Sequence, residues 1–267
     1  MCRIRGAYVV TEKWELDAAV SPSDLPAHSD DRRDTPEQAV FQQGWRIYRV
    51  LIDENYMFHR EAYACLHQIF TEQIARPFRF LDIACGDATP SLAALRSTPI
   101  TAYDGIDLSA AALDLARETL TALACPVTLV NADYVHALAA WTAQVDIAWI
   151  GFSLHHMTRD EKRVVLSMIR NLMPDDGHLL FYEDTSPDGE SREEWLARWD
   201  AQQPDWTAYS PEDWAEITAH VHAADYPETV STWRALAQEA GFAEAREVYV
   251  APSDLFRLFW LPATDRR

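Results

Sequence analysis

From Phe78 onward, short apolar runs alternate with longer stretches whose apolar positions recur every three or four residues. The short runs predict strands over 78–83, 101–107, 126–131, 145–151, 178–184, 245–251 and 255–261. The longer stretches predict helices over 88–96, 109–123, 134–142, 158–173 and 229–241. Alternation of this kind implies a parallel sheet wound with helices on both faces. The last two strands lie too close in sequence for a crossover helix, so they are expected to pair as an antiparallel hairpin. Upstream, residues 38–52 and 54–75 carry helix-spaced apolar groups, among them Tyr56, His59, Tyr63, Leu66, Phe70 and Ile74. Thr35 and Pro36 suit the start of the first of these helices.

Two segments depart from the alternation. Residues 1–36 are turn-rich and charged and read as a partly irregular extension. About forty residues, 186–228, separate the strand ending near Asp184 from the helix starting near Thr229. They hold Trp195, Trp199, Trp206, Tyr209, Trp214 and Tyr226, with no Lys or Arg between Arg198 and Arg234. A stretch this long and aromatic is neither an ordinary loop nor a linker, and it is expected to be a helical cap over one end of the sheet. Its aromatic groups have two readings: the core of the insertion, or a pocket wall receptive to a cation or flat ring. The expected parts are therefore the extension (1–36), N-terminal helices (37–76), the core (77–185), the cap (186–228) and a closing helix and hairpin (229–267).

Net charge is −19 over 267 residues, and no basic cluster stands out. That argues against a nucleic-acid partner, whose phosphates require a basic face. No apolar run approaches the roughly 18 residues that span a membrane. The four cysteines are scattered, with no C-x-x-C pair, and read as reduced thiols of a cytoplasmic protein. His220 and His222 are close, but no third ligand follows at a recognisable spacing, so no metal site is expected.

The chemistry-bearing stretch is Asp82-Ile83-Ala84-Cys85-Gly86-Asp87-Ala88-Thr89, followed by Gly105-Ile106-Asp107-Leu108-Ser109. A buried strand, a small-residue turn and a second strand ending in a carboxylate suit a nucleoside: the backbone approaches closely and the carboxylate accepts from ribose hydroxyls. One glycine flanked by Asp82 and Asp87 is a poor seat for a pyrophosphate. The pattern resembles the first two motifs of class I S-adenosylmethionine (SAM) dependent methyltransferases, with Ala84 and Ala88 standing where that family usually has glycine. Asn131-Ala132-Asp133-Tyr134, Gly151-Phe152-Ser153-Leu154-His155-His156-Met157 and Leu172-Met173-Pro174-Asp175-Asp176-Gly177 extend the resemblance in the expected order.

The resemblance implies a seven-stranded, mostly parallel, doubly wound (Rossmann-like) α/β sheet with an antiparallel C-terminal hairpin. It implies SAM as cofactor and Asp82, Ala84, Cys85, Gly86, Asp87, Asp107, Leu108, Asp133, Tyr134 and Phe152 as its binding residues. Alanines at 84 and 88 are expected to have ordinary negative φ, with Gly86 alone exempt. Methyl transfer to N or O of a small-molecule acceptor needs alignment and, for a protonated nucleophile, a base. The candidates are His155, His156, His59, Tyr56 and Glu183. Two other functions share these motifs: transfer or cyclisation of the aminocarboxypropyl arm with release of methylthioadenosine, and non-catalytic SAM binding. Assembly as a homodimer stays open.

Overall fold

The structure is a computed structural model that describes residues 47–74 and 76–264. The expected N-terminal extension and the start of the helix over 38–52 lie outside the described residues. Five parallel strands form most of the sheet: β1 (Phe78–Ile83), β2 (Ile100–Asp107), β3 (Val127–Asn131), β4 (Ile147–Gly151) and β5 (His178–Ser186). An eighth strand beyond the seven expected, β6 (Glu228–Thr229), runs parallel to Thr185 and Ser186 at the end of β5. Two residues carry no periodicity, which is why the pattern passes over it. The hairpin of β7 (Arg246–Val250) and β8 (Phe256–Pro262) completes the sheet, with β8 antiparallel to β5. The main order is β3-β2-β1-β4-β5-β8-β7.

The near-continuous apolar strands follow from cover on both faces. Side chains alternate along each strand, so Phe78, Phe80, Ile147, Trp149, Leu180 and Tyr182 share one core. Leu81, Ile83, Ala148, Ile150, Leu179 and Phe181 belong to the other. The first core receives α1 (residues 47–53), α2 (His59–Gln68) and α3 (Thr89–Leu95), with part of α4 (Ala110–Thr119). The second receives α5 (Tyr134–Ala140), α6 (Arg159–Asn171) and α9 (Val230–Glu239). α6 starts where Thr158 and Glu161 form a reciprocal capping box. The helix expected over 54–75 is interrupted: Asn55 and Phe58 are left-handed, and a π-helical turn, Ile69–Gln73, follows α2. Apolar spacing alone did not register those reversals.

The insertion is helical, with α7 (Arg192–Asp200) and α8 (Pro211–Ala224), each opened by a capping box at Ser191 or Ser210. Trp195, Trp199, Trp206 and Trp214 are all buried. They pack on one another, with ring centroids of Trp195–Trp199 at 5.9 Å, Trp199–Trp206 at 5.0 Å and Trp206–Trp214 at 5.5 Å. Of the two readings of these tryptophans, the structure supports core rather than pocket wall. The insertion meets the N-terminal helices: Tyr56 stacks on Trp206 at 4.8 Å, Ala208 N–H donates to Tyr56 Oη, and Tyr209 Oη–H donates to the Ile47 carbonyl. Trp199 also reaches Phe256 of β8, at 6.2 Å. Replacing it with Ala removes a ring that joins helix, loop and sheet. Urea denaturation followed by circular dichroism should show Trp199→Ala destabilised by about 3–5 kcal/mol, with Trp199→Phe losing much less.

Candidate functional site

The chain order places β1 and β4 side by side where the winding direction reverses. Beyond the carboxyl ends of such strands, the flanking loops diverge and leave a crevice. The turns after β1, β2 and β4 lie at this end of the sheet.

The turn after β1 is left-handed at Ala84 (φ 58°), Gly86 (φ 58°) and Ala88 (φ 57°). This corrects the expectation of negative φ at the two alanines. The chain must double back between β1 and α3, and the path dictates φ whatever residue occupies it. Alanine accepts that conformation at a cost of about 1–2 kcal/mol each, so the glycines are replaced in sequence only. Cys85 points away from the crevice: a Cβ at Gly105 would come within 3.0 Å of its Sγ, and burial pushes the thiol pKa well up. Asp87 accepts from Thr89 N–H at 3.0 Å and so supports the start of α3.

Asp107 joins two of the turns. Its Oδ2 accepts from Gly86 N–H at 2.9 Å and its Oδ1 from Ser109 N–H at 2.8 Å. Leu108 beside it is exposed, while Asn131 Nδ2 donates to the carbonyls of both residues. Asp133 caps α5 by accepting from Val135 N–H at 2.9 Å. Tyr134 Oη lies 3.5 Å from Met157 Sδ and accepts from Ser153 Oγ–H at 3.4 Å. Asp82 is buried and accepts from Tyr103 Oη–H at 2.6 Å. Burial pushes its carboxyl up to about 6, against the pull of hydrogen bonds from Ser91 and Tyr103.

The turn after β4 is built on Glu183. The Glu183 carboxylate accepts from the N–H groups of Ser153 and Leu154 at 2.7 Å each, from His155 N–H at 3.2 Å, and pairs with His155 Nδ1 at 2.7 Å. Burial opposes its charge, yet His155 and these N–H groups hold the carboxyl below its ordinary range. Phe152 is left-handed and buried, with His59 at 5.0 Å and Tyr182 at 4.8 Å between ring centroids. His155 is fully buried, and His156 is part-buried beside Asp225. Burial pulls the His59 pKa down to about 3 and the His156 pKa down to about 4, so both rings are neutral at pH 7. Tyr56 is occupied by the insertion, through Trp206 and Ala208.

Thus the structure gathers Asp82, Ala84, Gly86, Asp107, Leu108, Asp133 and Tyr134 at the carboxyl ends of β1 to β3, and Phe152, His155, His156 and His59 at the end of β4. Sequence reading missed Tyr103, Tyr63 and Asp225. Tyr103 pairs in register with Phe80, which shares a face with Asp82; only the register reveals that its hydroxyl reaches the carboxylate. Tyr63 on α2 accepts from Trp149 Nε1–H at 3.2 Å, a contact no local pattern announces.

Residues 80–177 match a family described as a methyltransferase domain. No protein of curated function matches the chain in sequence. Among solved structures, an O-methyltransferase family protein from Burkholderia thailandensis aligns with a TM-score of 0.57 at 20% identity, covering 79% of this chain and 57% of that one. Magnesium protoporphyrin IX methyltransferase from Synechocystis PCC 6803, solved with SAM bound, aligns at 0.54 and 15% identity, covering 83% and 89%. The mitomycin 7-O-methyltransferase MmcR aligns at 0.53 and 15%, covering 82% and 60%. The chain thus spans less than two thirds of the length of the Burkholderia and mitomycin proteins. Residues 80–177 thus match a methyltransferase domain, and the strand order is the fold shared with these methyltransferase structures.

The Asp82 environment sets a pH dependence. Its folded pKa of about 6 lies above the ordinary value for Asp of about 3.9. A raised carboxyl pKa favours the protonated form in the fold, so the contribution to stability is full below the ordinary value and is lost as pH rises through about 6. Asp82→Asn keeps an acceptor for Tyr103 and abolishes the charge. Its melting temperature relative to wild type should therefore be higher at pH 8 than at pH 5; an equal difference at both would contradict the raised pKa.

Proposed function

We propose that this chain transfers a methyl group from SAM to N or O of a small molecule. The observation that carries the reading is the joining of Asp107 to the Gly86 backbone at the reversal point of the sheet. The residues present fit SAM. Asp107 keeps acceptor capacity on both carboxylate oxygens for a ribose diol. Asp82 is a buried acid whose partners are hydroxyls rather than a Lys or Arg, which suits a ligand ammonium. Asp133 and Tyr134, with exposed Leu108, supply an acceptor and apolar surface of the kind an adenine needs. Neighbours solved with SAM and with its demethylated product bound support the same cofactor, and those named for O-methylation support oxygen as the attacked atom.

Bound SAM supplies an electrophilic methyl on a sulfonium. The chain's own task is alignment, worth roughly 7–11 kcal/mol of barrier in well-oriented systems. Phe152 and His59 pack a ring and a neutral imidazole against each other, buried at the end of β4. With pKa values of about 3 and 4, His59 and His156 are weak proton acceptors. An acceptor whose lone pair is already available, on nitrogen or on an ionised oxygen, needs no proton removed by either ring. The charge of −19 disfavours a nucleic-acid acceptor, and no described helix is long and apolar enough to cross a membrane.

Calorimetry should show one SAM per chain and no NADH binding, and Asp107→Ala should weaken SAM binding by about 1–3 kcal/mol. Turnover with an amine or phenol library should release adenosylhomocysteine. Release of methylthioadenosine instead would assign the chain to aminocarboxypropyl chemistry on the same scaffold.

A further inference from the structure

The insertion and the turn after β4 meet at a cluster that methyl transfer does not explain. His155 and His156 come from the turn after β4, and Asp225 directly follows α8, which carries His220. The Asp225 Oδ1 atom is the common point. It lies 3.1 Å from His156 Nδ1, 3.8 Å from His155 Nε2 and 3.9 Å from His220 Nε2. One ligand-capable atom each from His155, His156 and Asp225 lies within 4.8 Å of the others.

We propose that His155, His156 and Asp225, with His220 as fourth ligand, bind a divalent zinc-type ion that latches the insertion to the core.

Four physical observations converge on this site. Tetrahedral zinc with bonds of about 2.0–2.1 Å places its ligand atoms roughly 3.3 Å apart. The Asp225 oxygen already lies 3.1 to 3.9 Å from the three imidazoles. The atoms of His155, His156 and Asp225 lie within 4.8 Å of one another and would draw together on binding, with His220 closing in from α8. Asp225 Oδ1 is buried among three imidazoles, with His156 Nδ1 nearest at 3.1 Å, and His156 Nε2 is buried without a hydrogen bond. A buried carboxylate is costly without a compensating charge, and a cation coordinated at this point supplies one. Glu183 accepts from His155 Nδ1–H, which fixes the ring with Nε2 turned towards Asp225. A carboxylate behind a histidine in this manner is how metal-ligating imidazoles are commonly oriented. Finally, three imidazoles and one carboxylate suit zinc and its first-row neighbours; calcium and magnesium prefer oxygen ligands.

Four protein ligands make a closed, structural site rather than one with an open catalytic position. The ion would bridge two segments that already touch through Tyr226 N–H and the His155 carbonyl, 2.7 Å apart. The pair His220 and His222 does not act together, because residues two apart on a helix face different ways. His222 turns outward to Asp200, at 2.9 Å. The site escapes a reading of ligand spacing because its members come from two stretches about seventy residues apart. The latch does not rest on the methyl-transfer reading.

The test uses the full chain, stripped with a chelator and titrated with Co2+ and then Zn2+. The expected result is one Co2+ per chain with the intense visible bands of tetrahedral coordination, displaced by Zn2+, and a rise in melting temperature with the metal. Asp225→Asn and His156→Gln should each weaken binding at least 100-fold, beyond the 10–100-fold typical of outer-shell losses. His222→Gln should bind as wild type does. Absence of saturable Co2+ or Zn2+ binding to the wild type at micromolar concentration overturns the proposal. So does a weak octahedral spectrum, or wild-type affinity in Asp225→Asn and His156→Gln. Where a variant loses its circular dichroism, the stoichiometry and cobalt spectrum of the wild type decide alone.

Discussion

A single buried carboxylate, Glu183, sets the geometry on which the crevice depends. It stands near the end of β5 and gathers three successive backbone N–H groups and one imidazole from the turn after β4. Each charge-assisted hydrogen bond contributes on the order of 1.5–3 kcal/mol, which together offset the burial of the charge. The consequences are mechanical. The turn tightens, Phe152 is driven to a left-handed φ of 51°, and its ring enters the core between His59, Tyr182 and Phe256. The same tightening presents the His155 carbonyl to Tyr226, where the insertion returns to the core. Lys162 holds that return from the other side, donating to the Tyr226 carbonyl and to Glu228.

The buried acids of the site are in different electrical states, and their neighbours explain why. Glu183 is surrounded by donors and keeps its charge. Asp82 meets hydroxyls, which donate weakly, and burial raises its pKa. Asp107 is spent partly on structure, tying the turn after β1 to the turn after β2. A ligand bringing an ammonium to Asp82 would relieve that burial, while one bringing a diol to Asp107 would add to bonds already made. The two carboxylates thus ask for different ends of one molecule, and they lie on neighbouring strands, β1 and β2.

The features legible in the sequence were local or repeated. The strands, the winding and the hairpin come from alternation, and the start of α6 at Thr158 agrees with its capping chemistry. The positions of Asp82, Asp107 and Asp133 come from strand ends. The hidden features depend on path or register. Nothing in Ala84 or Ala88 announces a left-handed backbone, because the turn imposes it. Tyr103 meets Asp82 only through the pairing of β1 with β2. The insertion's tryptophans had a second reading as a binding wall, since composition cannot tell a ring facing a ligand from a ring facing another ring.

That last distinction constrains how an acceptor could be recognised. The rings of Trp195, Trp199, Trp206 and Trp214 are committed to one another, and Tyr56 is committed to Trp206. At the end of β4, Phe152 packs against a histidine that burial keeps neutral. Neither adds charge, and neither removes a proton readily at pH 7. On the proposed reading, selectivity then comes from which acceptors arrive with a lone pair ready and fit the space beside Phe152. The insertion contacts the turn that carries Phe152 through Tyr226 and His155, while its tryptophans pack on one another. At its seam with that turn, His155, His156 and Asp225 lie in contact, so a change that loosens the cap there also reaches the turn after β4.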